Sequence, residues 1–171
     1  IGAGPAGASA GIFTAKAGKK TLILDNDKSV TKRAWLDNHY GAPSISGPDL
    51  VEAGKGQATK FGAEIVQADA TSIKKEADSL VVVTDKEEYQ AKHVILATGM
   101  SVELGETSGV NTKPGTEPRI KAIYDVDQTG KTNIDGVWAA GTCAGVSMHT
   151  IITAGDGAKV AINIISELNG E

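Results

Sequence analysis

An α/β fold, a central parallel sheet with helices and an appended antiparallel β-meander, is what the sequence predicts, and three observations predict it. A glycine-rich turn, Gly2-Ala3-Gly4-Pro5-Ala6-Gly7, runs into a helical pattern and then into a short apolar strand. Two further wholly apolar runs, Val94-Ile95-Leu96 and Val137-Trp138-Ala139-Ala140, have the look of strands buried on both faces, as strands of a parallel sheet are. Between them, short alternating runs separated by turn residues suggest an antiparallel meander.

Taken in order, Ala6 to Ala17 carries Ala6, Ala10, Phe13 and Ala17 at helical spacing, with Gly18 as its stop. A first strand of about five residues is expected ahead of the glycine turn, so Ile1 is taken as its remaining end and the natural chain as starting earlier. Thr21–Leu24 is a buried strand ending in acid, Asp25-Asn26-Asp27. Residues 28–47 show no periodicity and are expected to form a long loop, a kind of segment that is usually functional. A second helix starts at Pro48, with Asp49 and Glu52 complementing its dipole and Gly62 closing it; Gly54 and Gly56 weaken its interior. Strand-like runs follow at Ala63–Ala68, Ser72–Glu76, Leu80–Thr84 and Glu88–Ala91. Residues 100–136 are polar and turn-rich, with a hairpin expected from Ile120 around Gln128-Thr129-Gly130. A last helix is expected from His149 to Leu168, before Gly170. The whole chain, 1–171, is taken as one domain.

Composition narrows the function. Glycine is in excess, 21 of 171 residues, which suits tight turns and close backbone approach to phosphates. A net charge of −4 and 4% aromatics argue against a nucleic-acid surface. No apolar run reaches the roughly 18 residues of a membrane span, and no signal peptide is visible, so a cytoplasmic location is expected. The one cysteine, Cys143, can build neither a disulfide framework nor a dithiol, and three scattered histidines offer no metal site.

The chemistry sits first in the glycine turn. Gly2 allows the tight turn, Gly4 lets backbone approach a pyrophosphate, and Gly7 allows the helix to lie close on its strand. Pro5 and Ala6 open the helix, whose N-terminal N–H groups and positive dipole end favour phosphate. Asp25, at the end of the next strand, stands where an acid about 20 residues on accepts from a ribose 2′-OH. Its charge disfavours a 2′-phosphate, and so NADP, at this position.

The pieces GAGPAG, ISGPDL, KFGAEIV, VILATG and GVWAAGT…ITAGDGAKVA, in this order over nearly the whole chain, resemble the FAD domain of thioredoxin reductases and related flavoproteins with two dinucleotide domains. The resemblance implies a Rossmann-like FAD-binding fold and an oxidoreductase. It implies that Thr98 and Gly99 pass near FAD, that Asn38 reaches toward the flavin and ribityl, and that Ala70 meets the adenine through its backbone. It places Gly141 and Thr142 in a second flavin motif, and His149, Thr150 and Ile151 at the pyrimidine edge of the isoalloxazine. From the physics alone, a helix starting near His149 points unpaired N–H groups outward, suited to an anionic reduced flavin. Two roles stay open for His149: a hydrogen-bond or proton donor to the flavin, or a helix-capping residue facing solvent.

Three departures qualify the resemblance. Only residues 100–136 separate the ATG segment from GVWAAG, where the family carries a whole NADPH domain of roughly 100–150 residues. The family's redox-active CxxC lies in that domain, and Cys143 alone cannot run dithiol exchange. Thr142 replaces the acid usual in the second flavin motif; Gly155-Asp156 comes later, inside the last helical run, at a different position. The expectation is therefore an FAD-dependent oxidoreductase whose electron donor is NAD(P)H or a redox protein. A non-catalytic FAD-binding module or electron-transfer subunit acting with a partner is the alternative, and NAD in place of FAD is a third reading. Relatives suggest a homodimer.

Overall fold

The computed structural model describes residues 1–171. Four helices are α1 (Pro5–Lys16), α2 (Gly47–Lys60), α3 (Glu103–Thr107) and α4 (Thr150–Asn169). The strands are β1 (Leu22–Asp25), β2 (Trp35–Leu36), β3 (Ile45–Ser46), β4 (Glu64–Gln67), β5 (Ala70–Lys75), β6 (Leu80–Thr84), β7 (Glu88–Ala91), β8 (Val94–Leu96), β9 (Thr112–Pro114), β10 (Ala122–Tyr124) and β11 (Val137–Ala139). No helix is long and apolar enough to cross a membrane.

The central sheet is parallel. β1 pairs with β4, and β8 pairs with β11. Ile1 and Gly2 lie between the two pairs and join them: Gly2 N–H donates to Leu24 C=O at 2.8 Å, and Ala97 N–H donates to Ile1 C=O at 2.9 Å. The order is thus β4–β1–(residues 1–2)–β8–β11.

Successive side chains of a strand point to opposite faces, and here each face meets its own apolar layer. Leu24, Leu96, Val137 and Ala139 face the meander, where Ile73, Leu80 and Val82 complete the largest core cluster with the fully buried Tyr124. Ile23 faces Ala15 and Ala58 of α1 and α2. Trp138 and Ala97 face Ala6 together with Val160 and Ile164 of α4. The expected short apolar strands are short because each is sandwiched, and uniformly apolar because both faces are covered. The meander β5–β6–β7 is antiparallel as predicted, with an irregularity in pairing between Ala70 and Ser72.

Two expectations need correction. Residues 28–47 are not an irregular loop: a 3-10 turn (Val30–Arg33) leads into the antiparallel pair β2–β3, closed at its tip by a His39–Ala42 bridge. Two strands of two residues each are too short to show alternation. The hairpin expected to turn at Gln128–Gly130 pairs upstream instead, β10 with β9. The Asp127–Gly130 turn does form, its Asp127 carboxylate accepting from the N–H groups of Thr129, Gly130 and Lys131, but it feeds a single bridge from Lys131 to Trp138. The second helix is present as expected: α2 runs unbroken through Gly54 and Gly56, started by Ser46, whose hydroxyl accepts from Asp49 N–H at 3.2 Å.

Candidate functional site

The site is built around the first turn of α1. Pro5 at the first helical position has its ring dihedral preset for helix, and Gly4 caps without a side chain. The first intrahelical bond runs from Ala8 N–H to Gly4 C=O, which leaves the N–H groups of Ala6 and Gly7 unpaired. No acid stands in this first turn. A positive helix end, uncapped and unneutralised, is an anion site. Gly7 is compulsory there: a Cβ on it would lie 1.8 Å from Gly2 C=O, so only glycine lets the helix start against the strand end.

Two other segments close on this turn. The ATG segment passes directly behind Gly2, where a Cβ would meet Ala97 C=O at 2.3 Å. Thr98 is held by donating to Ser101 C=O at 2.5 Å, with the Tyr124 hydroxyl 3.4 Å away. Burial pushes that phenol up to about 12, so it stays neutral and accepts from Gly105 N–H at 3.1 Å. Gly99 has φ +68 and turns the chain out of β8. From the other side comes the second motif, in which Gly141 lies against Ala6; a Cβ on Gly141 would be 2.8 Å from that of Ala6. Thr142 opens a 3-10 turn, is buried, and its hydroxyl makes no hydrogen bond within the chain.

The two ends of the site have different chemistry. At one end Asp25 is buried at the tip of β1, accepting from Asp27 N–H at 2.9 Å through one oxygen. Its other oxygen holds Lys55 Nζ of α2 at 2.6 Å. A carboxylate has about four acceptor positions, so room for a ribose hydroxyl is left on both oxygens. Lys55 does, however, offset the charge that was expected to repel a 2′-phosphate. Lys28 and Asn26 bind Asp69 at 2.7 Å each, tying the start of β5, and with it Ala70, to the same end. These contacts hold the Asp69 carboxyl below its ordinary value.

At the other end α4 begins. His149 is its N-terminal flanking residue and is exposed, while Thr150 is buried and Ile151 is 38% exposed. The β2–β3 hairpin reaches across to this helix end through His39, whose Nδ1 lies 2.9 Å from the Thr150 hydroxyl oxygen. Asn38, next to it, is exposed at the hairpin tip together with Tyr40. Of the expected residues, Asp25 and Ala70 thus share one end; the ATG segment with Thr98 and Gly99 and the second motif with Gly141 and Thr142 both close on the glycine turn; and Thr150 meets the β2–β3 hairpin. The His149 C=O accepts from Ile152 and Thr153 N–H at 3.0 Å, while its imidazole makes no hydrogen bond and stays at the solvent side of the helix end.

Four residues of this neighbourhood take roles that the sequence does not mark. Ser29 stands beside Gly4, its hydroxyl 3.0 Å from where a Gly4 Cβ would be. Lys55 and His39 reach the site from elements whose placement no local pattern gives. Asp156 is the fourth: its Oδ2 accepts from Gly141 N–H at 2.8 Å, so the carboxylate expected at a different position does reach the second motif. The single Gly155-Asp156-Gly157 within an amphipathic helix is its only signal. Cys143, by contrast, is sealed: fully buried, it donates weakly to Leu96 and Ala140 carbonyls at 3.3 Å, and burial raises its thiol above the ordinary value.

Comparisons with known proteins place this geometry. The sequence pattern of the family described as pyridine nucleotide-disulphide oxidoreductase matches residues 1–122. A thioredoxin reductase of Peptoclostridium acidaminophilum is 33% identical over 131 residues, covering 74% of this chain and 42% of that protein. One from Aquifex aeolicus is 40% identical over 106 residues, covering 58% of this chain and 32% of the relative. The chain therefore spans well under half the length of these curated relatives. Among solved structures, an atypical thioredoxin reductase from Desulfovibrio vulgaris Hildenborough superposes with a TM-score of 0.88 at 21% identity, over 100% of this chain and 97% of that one. A ferredoxin-flavin thioredoxin reductase from Clostridium acetobutylicum superposes at 0.77 and 19% identity, over 100% and 97%. These structures share the α/β fold with a parallel sheet and a meander. The chain belongs to the pyridine nucleotide-disulphide oxidoreductase family.

Proposed function

We propose that this chain binds FAD between Asp25 and Thr150 and serves as the flavin-binding part of a thioredoxin-reductase-like oxidoreductase. The observation that carries the reading is the first turn of α1: a helix end with free N–H groups and no acid, on which three backbone segments converge too closely for any side chain. That cradle fits a pyrophosphate. Asp25 and the backbone at Ala70 suit the adenosine end, and the Thr142 hydroxyl with the Thr150 helix start suits the ribityl and flavin end. FAD, when bound, supplies hydride and electron chemistry; the protein's residues hold, orient and electrostatically tune it. The N-terminal end of α4 carries no acid in its first turn, so it favours negative charge at the group it faces.

Electrons come, in this reading, from NAD(P)H or a redox protein. The sealed state of Cys143 favours a partner role for the disulfide half of any reaction: no thiol of this chain is placed to exchange with a substrate. A reducing, cytoplasmic setting and pairing with a second copy agree with the unpaired thiol and with the family, and both are part of the proposal.

The experiment is direct. The purified protein is examined for the yellow flavin spectrum, FAD is titrated into stripped protein, and NADH, NADPH and a reduced ferredoxin are then added without oxygen. Bound FAD that one donor bleaches supports the oxidoreductase. Bound FAD that none bleaches supports a module acting within a larger assembly. A colourless protein that binds NAD(H) but no FAD overturns the reading.

A further inference from the structure

The second flavin motif lacks its usual acid, since Thr142 stands at that position, yet a carboxylate does reach the motif. Asp156 comes from the second turn of α4, its side chain 7% exposed, and directs Oδ2 to the Gly141 N–H at 2.8 Å. Its Oδ1 meets Lys159 Nζ at 2.6 Å on the outer side. The bond to Gly141 is charge-assisted and shielded from water, which makes it a strong one of its kind.

What it holds is a backbone with little preference of its own. Gly141 has φ +86 and ψ −154, a conformation essentially confined to glycine, and glycine itself has many others to choose from. Its C=O accepts from Ala144 N–H at 2.9 Å, closing the turn that presents Thr142. The neighbouring Gly157 sets the height of α4 over α1: a Cβ there would lie 2.1 Å from Ala6 C=O. Gly157 thus carries the contact with α1, while Asp156 is the point at which α4 is fixed to the second motif, and the Thr142 hydroxyl is left free for a ligand.

We propose that Asp156 is a positioning residue for flavin binding: it locks Gly141 so that the N–H and hydroxyl of Thr142 meet the ribityl half of FAD, taking over from another helix the part of the missing acid. This rests on the FAD reading above, and it makes a prediction that a general stabilising role does not. Asp156 serves the flavin half only, while the glycine turn serves the ADP half.

The test uses the whole chain, stripped of flavin, with FAD and ADP as separate probes, and compares wild type with Asp156→Ala and Asp156→Asn. Expected for Asp156→Ala is a loss of FAD affinity of about tenfold or more, the worth of a buried charge-assisted hydrogen bond, with ADP affinity unchanged within about twofold. Asp156→Asn keeps an acceptor oxygen without the charge and is expected to lose about three- to fivefold for FAD only. The Asn variant preserves shape, so it decides the matter if the Ala variant does not fold. Equal losses for FAD and ADP, or FAD binding unchanged in the variants, overturn the inference while leaving the FAD reading intact. A wild-type protein that binds ADP but not FAD overturns both.

Discussion

His39 and Thr150, far apart in the chain, meet with 2.9 Å between the imidazole Nδ1 and the hydroxyl oxygen, and this contact fastens the β2–β3 hairpin to the N-terminal end of α4. The hairpin is otherwise held by its short pairing, by Ser44 Oγ donating to Asp37 at 2.7 Å, by Ala42 N–H to His39 C=O at 3.0 Å, and at its base by Gly47 N–H to Ala34 C=O at 2.8 Å. His39→Ala is expected to cost about 0.5–1.5 kcal/mol, the net worth of one such bond, and to raise amide exchange selectively in residues 35–46. In the double variant with Thr150→Ala the two costs should not add. Additive costs in urea unfolding would show that the pair does not act as a unit.

Lys55 and Asp25 form a pair with side chains 16% and 11% exposed, and removing Lys55 leaves the Asp25 carboxylate largely buried without a cation. Lys55→Met is expected to destabilise the fold by about 1–3 kcal/mol, below the cost for a fully buried pair because some water reaches it. Burial alone would lower the Lys55 pKa; its bonds to Asp25 and Glu52 outweigh this and hold it above the ordinary 10.5. A raised folded-state pKa gives stabilisation that is complete below 10.5 and fades as pH rises through the folded value. Wild type should therefore lose stability above that pH more steeply than Lys55→Met, as followed by denaturant midpoints across the alkaline range.

The parts of this fold that the sequence announced are those where one local rule decides. The glycine turn, α1, β1 and the sandwiched strands β8 and β11 follow from close approach, helical spacing and burial on both faces, and their limits fall within a residue or two. What it hid depends on meeting at a distance. Two-residue strands such as β2 and β3 have no periodicity to show, and the partner of β10 is chosen by packing rather than by the nearest turn. At the site, Asp25, Gly141 and Thr142 were visible because a motif marks them. The roles of Asp156 and Lys55 were not, because each lies on a helix as an ordinary polar residue and only the packing of α4 against the second motif and of α2 against the end of β1 gives it a partner.

Cys143 should behave as an inert thiol. Burial favours its neutral form and raises its pKa, and both of its contacts are to main-chain carbonyls. Ellman's reagent or iodoacetamide at neutral pH is expected to label the folded protein at a rate set by unfolding, and to label it at once in strong denaturant. Rapid stoichiometric labelling of the folded chain would contradict the sealed geometry. Cys143→Ser is the companion variant: a hydroxyl in this fully buried place is expected to lower stability by about 1–3 kcal/mol while leaving FAD binding alone.

The same substitution, glycine to alanine, should act with opposite sign at two helical positions, and the surroundings say which. At Gly7 the new methyl would sit 1.8 Å from Gly2 C=O, a main-chain atom fixed by its own strand, so the helix must move off the strand end. A cost of about 3 kcal/mol is expected, at the upper end for overpacking, together with loss of FAD binding, because the N–H groups that face the pyrophosphate move with the helix. At Gly56, inside α2 and exposed, a Cβ would meet nothing within 4 Å. Alanine there removes backbone freedom from the unfolded chain and adds helix propensity, a gain of about 0.5–1 kcal/mol with FAD affinity unchanged. Urea midpoints and FAD titrations on the two variants check both signs at once. A stabilised Gly7→Ala that still binds FAD would mean that the first turn of α1 does not approach its strand as closely as the structure shows.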